Sequence, residues 1–514
     1  MVSRTLAAVV LVAAVSAATA CGGDDSETSG GAATSAGKVD STSSTAAGVG
    51  GTNDGPASME AWEALWAEER AAVVARIEEN GWGKSADGTQ LTGPEGFTID
   101  LSACAAGWSD TEGLTDTEIK IGYPLPQSGP AAESGGLGYS QEALFAHYNA
   151  QGAFTDVNGK TRNVTMFLRD DAYDAARTIP LVDELIDSER VFAIETTGSP
   201  STLRTYEKLN QRCIPQVLPG SGHPAFGDPV NHPWTTTSSI NYATEAVLWG
   251  TFLEERLDEL GGQAKIAALR INSDFGASYH AALTAYLETS EHKDDIEYVS
   301  ETIEPTAATV KDEMTTLAAG SPDMFIAMTT GSSCSQMVSE AAINGMKEDV
   351  PYKFLSSACK VTTPVQDLGD ASDGWWTVGG ALKDVDVEAY DDDPFAVAAR
   401  QWVADIDREV SQSYNLGLYY GWTLAQGLQI AGQLDGGLTR SNLILALRSI
   451  DMTNPMLVGG LKVKMDGNAD AFMLEGSDIS YWSTDEQAWV QDSIVELDVQ
   501  TPNCAWDQSE ARCR

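Results

Sequence analysis

The sequence predicts an α/β protein made of two lobes, each built around a parallel sheet. Between residues 115 and 355, short apolar runs of strand length alternate with stretches of helical length, a pattern typical of parallel sheets with helices on both faces. The alternation breaks near residue 237 and then restarts, which indicates two Rossmann-like lobes and not one large sheet. Ligands of such sheets bind beyond the carboxyl ends of the strands, so two facing lobes would share one cleft.

Residues 1–21 have the layout of a secretory signal. Arg4 gives a positive start, residues 6–18 are apolar, and small residues end at Cys21. The apolar run of about 13 residues is too short for the ~30 Å hydrocarbon core of a bilayer. Its end resembles a bacterial lipoprotein cleavage site, which implies export and anchoring to the outer face of the cell membrane through lipidated Cys21. The alternative is an ordinary signal cut after Ala20.

The next segments predict a tether and a docked helix. Residues 22–57 are mostly Gly, Ser, Thr, Ala and Asp. They cannot bury enough apolar surface to offset chain entropy, so we expect a flexible tether. A helix follows, with Ser58 as its N-cap and a stop at Asn80. Its two tryptophans lie at helical spacing, which favours docking on the main body. We assign residues 58–114 to this helix and a connector.

The alternating pattern also gives the position of each strand and helix. The first lobe is predicted to contain strands at 118–122, 163–168, 191–194 and 214–218 and helices at 140–150, 175–187 and 202–211. The second lobe is predicted to contain strands at 265–269, 296–301, 324–328 and 352–355 and helices at 243–260, 279–289, 310–318 and 336–344. Two more helices are predicted at 393–410 and 416–431.

The charge balance is strongly acidic. The chain has 31 Lys and Arg against 75 Asp and Glu, a formal net charge of −44. A field of this sign repels nucleic acid and anionic lipid headgroups, so no nucleic-acid partner is expected. Attraction of a cationic ligand is one interpretation. The other is a solvated acidic surface suited to salty surroundings, and the spread of the acids along the chain favours it.

Motifs of common enzyme classes are missing from the sequence. The five histidines form no HExxH and no His–Cys arrangement, and there is no GxSxG or P-loop lysine motif. No cysteine or histidine pair has the spacing of a metal site. Asp170, Asp171 and Asp174 cluster, but they follow a predicted strand as a turn would. We therefore expect no enzyme activity, no cofactor and no metal, with an enzyme as a remote alternative.

The order of several short motifs resembles a known family. EIKIG at 118–122 leads into PQSGP at 126–130, DDAYDAA follows at 170–176, TGS at 197–199, and NSDFG at 272–276. Together they resemble the solute-binding proteins of ABC importers, specifically the branched-chain amino-acid (leucine-binding) type with the type I periplasmic-binding fold. The resemblance covers roughly residues 115–500.

The resemblance implies three crossings of the chain between the lobes. Lobe one would comprise residues 115–236 and 384–455, lobe two residues 237–383 and 456–500, and a cysteine-containing tail would follow at 501–514. Helix N-termini and strand-end loops would catch a carboxylate between the lobes. The family positions carried over to this chain as ligand-binding residues are Ser199, Gly220, Ser221, Gly222, Phe275, Thr330 and Ala358.

One of these positions departs from the family pattern. Amino-acid binders of the family carry an acidic side chain where this chain has Ala358. A buried ammonium without a carboxylate partner is costly. Either another acid, with Glu133 as a candidate, reaches the ligand, or the ligand is not a standard α-amino acid.

The resemblance implies that the protein captures a small polar metabolite, an amino acid or a related carboxylate or amide, and delivers it to an ABC permease in the membrane. The alternative is a ligand-sensing receptor domain that signals to a membrane partner. Identical binding chemistry would serve both functions.

The cysteines indicate disulfides. Seven are present, and six remain after the lipid-bearing one, an even number that indicates three bonds in an exported protein. Strand positions favour the pairs Cys104–Cys213, Cys334–Cys359 and Cys504–Cys513. The first pair precedes two strands of lobe one, and the second follows two strands of lobe two, so each pair lies at one pole of its sheet. The tail pair is the residual choice, and a bond from Cys104 to a tail cysteine is the chief alternative.

Overall fold

The computed structural model describes residues 48–49, 55–497, 501–507 and 512–513. Cys21 and most of the predicted tether lie outside these ranges. Within the predicted tether, strand β1 (Gly48–Val49) pairs antiparallel with residues 490–491. None of the helices in the described ranges is both long enough and apolar enough to span a bilayer.

Helix α1 (Met59–Glu79) begins and ends where the sequence predicts. The Ser58 side chain accepts a hydrogen bond from the Ala61 N–H at 3.2 Å and caps the helix. Trp66 is fully buried and packs against Trp422, with ring centroids 5.4 Å apart, so the helix is docked as expected. A small antiparallel sheet that the pattern did not predict follows, with strands β2 (Gly83–Lys84), β3 (Gln90–Thr92) and β4 (Thr98–Asp100).

Lobe one contains a six-stranded sheet. Its strands are β5 (Glu118–Leu125), β6 (Phe154–Thr155), β7 (Thr161–Asp170), β8 (Ala193–Ile194), β9 (Gln216–Val217) and β10 (Thr235–Thr236). Their spatial order is β10-β9-β8-β5-β7-β6, and all pairs are parallel except β6 with β7. The intervening helices are α2 (Gly135–Gln151), α3 (Ala175–Glu184) and α4 (Ser199–Gln211).

Lobe two repeats the alternation. Its helices are α5 (Tyr242–Glu254), α6 (Asp274–Thr289), α7 (Lys311–Ala319), α8 (Ser332–Asn344), α9 (Met346–Asp349) and α10 (Ser357–Thr362). Its parallel strands are β11 (Ala264–Ile271), β12 (Ile296–Ile303), β13 (Met324–Met328), β14 (Tyr352–Leu355) and β15 (Trp375–Val378). Strands β13 and β14 have the predicted bounds.

The chain then returns to lobe one and crosses back. Helices α11 (Pro394–Ala404), α12 (Gln412–Gln433) and α13 (Arg440–Arg448) are followed by the hairpin of β16 (Asp451–Met452) and β17 (Val463–Lys464). Strands β18 (Gly476–Ser483) and β19 (Ala488–Glu496) add an antiparallel hairpin to the second sheet, whose order is β1-β19-β18-β15-β14-β13-β11-β12.

Three predicted helices end earlier in the structure. The helix expected over 243–260 stops at Glu254. The helix expected over 393–410 stops at Ala404, and Asp407 has a left-handed φ of +58° that a continuous helix does not allow. The helix expected over 175–187 stops at Glu184 and continues as a short π-helical turn (Leu185–Glu189).

Three segments cross between the lobes side by side. The Lys383 N–H donates to the Met456 carbonyl at 2.8 Å, and the Val458 N–H donates to the Ala381 carbonyl at 2.9 Å. Thr237 and Phe472 form a parallel bridge that joins the first crossing to the third. The structure confirms the predicted fold of two mostly parallel α/β lobes joined by three crossovers.

The C-terminal tail makes a fourth link between the lobes. Thr501 lies 3.0 Å from Thr244 of α5, measured between the two Oγ1 atoms. Further along, the Cys504 N–H donates to the Gly227 carbonyl of lobe one at 2.8 Å. Trp506 packs edge-on against His223, with ring centroids 4.5 Å apart. The tail ends in strands β20 (Trp506–Asp507) and β21 (Arg512–Cys513).

The six cysteines pair in the predicted combination. The bonds join Cys104 to Cys213, Cys334 to Cys359 and Cys504 to Cys513. The first bond ties the connector after α1 to lobe one, the second joins two strand-end helices of lobe two, and the third closes the tail hairpin.

Candidate functional site

A cavity lies between the two lobes and beside the three crossings. Its volume, measured as the space that the centres of water molecules can occupy, is about 80 Å³. One water needs only a fraction of that volume. The walls come from strand-end loops of both sheets, the first turn of α2, the second and third turns of α12, helix α10 and the crossing segments. Both lobes therefore contribute to one site, as the fold predicts.

Close packing of the chain makes glycine necessary at two positions in the wall. Gly198, before α4, has a φ of +86°, and a Cβ there would lie 2.4 Å from the Tyr173 ring. A Cβ at Gly222 would lie 2.0 Å from the Ile240 carbonyl oxygen of the first crossing. Because glycine has no Cβ, the loop before α4 can pack against Tyr173, and the loop at Gly222 can pack against the first crossing. Gly220 is less constrained, since its nearest neighbour would be 3.3 Å away.

Six of the seven predicted ligand-binding residues line the cavity. They are Gly220, Ser221, Gly222, Phe275, Thr330 and Ala358. Ser199 does not line it, because its fully buried hydroxyl lies behind Ser221, with 2.8 Å between the two Oγ atoms. Ser199 therefore orients Ser221 from the first turn of α4.

Glu133, the predicted alternative acid, does not line the cavity. Its carboxylate accepts hydrogen bonds from the hydroxyls of Ser411 at 2.5 Å and Ser413 at 3.3 Å. These contacts hold the turn before α2 to the start of α12. The neighbouring Ser134 lines the cavity in its place.

Several lining residues were not predicted. The crossings contribute Ser238, Ser239, Ile240, Gly379, Gly380 and Leu382, and α12 contributes Leu416, Tyr419 and Tyr420. Tyr420 and Ser239 join α12 to the first crossing through a 2.5 Å hydrogen bond between their hydroxyls. The pattern predicted a helix over 416–431 but gave no sign that its tyrosines face the other lobe.

All residues that line the cavity are uncharged. The nearest acid in lobe two, Glu245 of α5, lies behind Ser357. Its carboxylate accepts the Ser357 N–H at 3.0 Å, the Ser357 hydroxyl at 2.6 Å and the Tyr279 hydroxyl. Burial raises the pKa of Glu245 to about 7, although the hydrogen bonds from Ser357 and Tyr279 act to lower it.

A second buried acid lies behind the lobe-one wall. Glu195 follows β8 and is fully buried, and burial raises its pKa to about 8 despite a 2.8 Å hydrogen bond from Gln141 Nε2. The Oε1 atoms of Glu195 and Gln141 have no hydrogen-bond partner among the described residues.

Replacement of Glu195 by glutamine is expected to stabilise the protein at alkaline pH. The folded pKa is raised above the unfolded value of 4.5. Native Glu195 therefore keeps a proton that the unfolded chain releases, and stability falls as pH rises from about 4.5 through about 8. Glutamine does not titrate, so the free energy of unfolding of Glu195→Gln should fall by roughly 3–5 kcal/mol less than that of wild type over this pH range. Urea unfolding at about pH 5 and pH 9 measures it, and an unchanged pH dependence in the variant contradicts the assignment.

The lobes touch each other over the cavity. Arg204 of α4 forms an ion pair with Asp274 of α6 at 3.5 Å. Gly331, at the start of α8, packs against the lobe-one turn at Pro130, where a Cβ on Gly331 would lie 2.6 Å from the Pro130 carbonyl oxygen. These contacts describe a closed arrangement of the cleft.

Phe275→Ala is expected to weaken solute binding by roughly tenfold to a hundredfold, because about 1.5–3 kcal/mol of apolar contact is removed from the cavity wall. Phe275 is buried and packs edge-on against Tyr242 and Tyr279, with centroids 5.2 and 5.1 Å away. Phe252→Ala is the control, since Phe252 is equally buried in lobe two but does not line the cavity. Calorimetry should show an affinity loss only for Phe275→Ala, and equal losses would contradict the site.

Among the described residues, no group of three or more His, Cys, Asp or Glu side chains is arranged to hold a metal ion. Asp170 accepts hydrogen bonds from the Gln127 N–H and the Ser128 hydroxyl, and Asp174 caps α3. These acids therefore hold turns at the end of β7.

Solved structures with the same fold bind varied solutes. A branched-chain amino-acid ABC transporter protein from Thermus thermophilus with bound valine aligns with a TM-score of 0.63 and 14% identity, over 75% of this chain and 98% of that chain. A fatty acid ABC transporter substrate-binding protein from Thermomonospora curvata aligns with a TM-score of 0.61 and 17% identity, over 82% of this chain and 98% of that chain. A solute-binding protein from R. palustris in complex with benzoate aligns with a TM-score of 0.58 and 17% identity, over 74% of this chain and 96% of that chain.

The sequence itself matches a protein family. No curated protein sequence matches this chain. The family described as "Periplasmic binding protein" matches residues 118–475, which include the whole sheet of lobe one, strands β11 to β15 of lobe two, all three crossings and every residue of the cavity wall. The chain therefore belongs to the periplasmic binding proteins, with the type I fold and a general solute-binding role.

Proposed function

We propose that this chain is an exported, lipid-anchored solute-binding protein that captures a small polar metabolite and delivers it to an ABC import permease. The observation that carries the proposal is the cavity between the lobes, because its wall is shared by both lobes and contacts join the lobes across the cleft. A solute that touches both lobes favours the closed state by its extra contacts, and a membrane partner can recognise that state.

The ligand is bound without covalent chemistry. The wall offers hydroxyl groups, glycine backbone and apolar side chains. The part of the wall that the structure describes holds no Asp, Glu, His, Cys or Lys side chain. The arrangement supports reversible capture, which is the role that transport requires.

The lipid anchor is proposed from the signal layout that ends at Cys21. Cys21→Ala should release the protein from the cell surface, because a single buried acyl chain adds about 0.8 kcal/mol per CH₂ to membrane binding. Fractionation and intact-mass analysis of both forms test it. Wild-type protein recovered from the medium with an unmodified N-terminus would contradict the anchor.

A thermal-shift screen tests the binding role. A solute that binds the folded state raises the melting temperature by mass action. At a free solute concentration of a hundred times its Kd, the free energy of unfolding rises by about 2.7 kcal/mol. Crosslinking in native membranes with the bound solute tests delivery. Recovery of ABC permease subunits supports transport, whereas recovery of a signalling receptor alone contradicts it.

A further inference from the structure

The charges near the cavity are all directed away from it. Arg204 is paired with Asp274 at the outer edge of the lobes. Lys360 follows the lining residue Ala358 by one half-turn of α10, and its ammonium lies 3.3 Å from Asp384 and donates to the Leu382 carbonyl. The wall is therefore surrounded by charges but presents none to a ligand.

A zwitterionic amino acid lacks a partner for its ammonium. The position that the family fills with an acid holds the Ala358 methyl group. Glu245 already accepts three hydrogen bonds from Ser357 and Tyr279, and it lies behind Ser357 and not in the wall. An ammonium placed here loses its water without gaining a counter-charge, which is unfavourable.

An anionic ligand is also poorly matched. Among the residues that the structure describes, no Lys, Arg or His lines the cavity. The acids Glu195 and Glu245 lie behind the two walls, the Lys360 ammonium is already paired with Asp384, and the whole chain carries a formal net charge of −44. The N-terminus of α4 favours partial negative charge. A carbonyl or hydroxyl oxygen of a neutral molecule supplies that charge without the desolvation of a carboxylate.

One hydroxyl in the wall lacks a partner. Ser238, on the first crossing, is fully buried and lines the cavity, and its Oγ atom makes no hydrogen bond to any described residue. The Tyr419 hydroxyl donates to the Ser238 carbonyl at 2.9 Å and fixes the backbone. A buried polar group without a partner is costly, so a ligand atom that bonds to it gains affinity.

We propose that the cleft selects an uncharged ligand, with hydroxyl, carbonyl or amide groups on a compact apolar body, and that the Ser238 hydroxyl hydrogen-bonds to it. The proposal rests on the proposed solute-binding function and narrows it to a chemical class. Of the amino acid, carboxylate or amide that the family resemblance implied, it keeps only the uncharged class.

Matched solutes test the charge class. Isovaleramide, isovalerate and L-valine share a branched aliphatic body, and phenylacetamide, phenylacetate and L-phenylalanine share an aromatic one. Calorimetry of the full mature chain should show the neutral member binding at least about tenfold more tightly than the charged members, in these sets and in a wider panel of neutral, anionic and zwitterionic metabolites. Tightest binding by an anion or an amino acid overturns the class but leaves solute binding intact. A panel in which no class binds overturns the proposed function itself.

A pair of variants tests Ser238. Ser238→Ala should weaken binding of the tightest neutral compound by about threefold to tenfold, as expected for one neutral hydrogen bond. Thr236→Val is the matched control, because Thr236 is also fully buried with an unpartnered hydroxyl but does not line the cavity. The control should bind within about twofold of wild type, and neither variant should melt at a lower temperature without ligand. Unchanged affinity in Ser238→Ala overturns the role of this hydroxyl.

Discussion

Gly331→Val should abolish tight solute binding while leaving the protein folded. A Cβ at this position would lie 2.6 Å from the Pro130 carbonyl oxygen in the opposite lobe, a distance that atoms cannot tolerate. The Pro130 oxygen belongs to the backbone and the position of a Cβ is fixed by the backbone of residue 331, so no side-chain rotation relieves the contact. The lobes must then stay apart, and the ligand loses the contacts of one wall. We expect an affinity loss of at least about a hundredfold, on the order of 3 kcal/mol.

The matched control for Gly331→Val is Gly374→Val. Gly374 has a φ of +72°, close to the +68° of Gly331, but a Cβ there meets no atom within 4 Å. Both variants place a side chain at a positive φ, and only Gly331→Val also meets the opposite lobe. Small-angle scattering should show that wild type and Gly374→Val become more compact on binding the best solute of the screen. Compaction of Gly331→Val would show that Gly331 does not control closure.

The sequence predicts strands better than it predicts helix starts. Strands β13 and β14 have their predicted bounds, because a short apolar run between turn residues has no other placement in a buried sheet. Helix α2 begins five residues before the predicted 140, in a glycine-rich stretch. A Cβ at Gly136 would lie 2.0 Å from Ser413 Oγ of α12, so these glycines permit close helix packing and do not mark a loop. A contact 277 residues distant in sequence cannot be inferred from local pattern.

Some residues of the candidate site could be predicted from the sequence, and others could not. Gly220, Phe275 and Thr330 follow strand ends, and family order places them on the wall that the structure forms. The tyrosines of α12 and the crossing residues were missed, because their position depends on how the two lobes close. Ser199 was predicted to contact the ligand, but in the structure it lies behind the wall residue Ser221. Its hydroxyl bonds to Ser221, and local sequence cannot distinguish a side chain in the wall from one that supports it.

Lys360→Met is expected to destabilise the protein by about 3–5 kcal/mol near pH 8, because it leaves Asp384 buried without its partner. Lys360 and Asp384 are 2% and 8% exposed, and they join α10 to the second crossing at 3.3 Å. Burial raises the pKa of Asp384 to about 6, although attraction to Lys360 acts to lower it. Without the lysine the pKa of Asp384 rises further. The folded carboxyl then holds its proton to higher pH than the unfolded one, so the destabilisation grows as pH rises.

Two further variants isolate the cause of this effect. The double variant Lys360→Met with Asp384→Asn should regain most of the lost stability, because two neutral groups no longer require a counter-charge and effects within one buried pair are not additive. Lys160→Met is the control, since Lys160 and Asp116 are 50% and 85% exposed and their ion pair contributes at most about 1 kcal/mol. Urea unfolding of all variants at about pH 5 and pH 8 measures both comparisons. A double variant as unstable as Lys360→Met would mean that packing of the lysine stem, and not the unpaired charge, stabilises the junction between α10 and the second crossing.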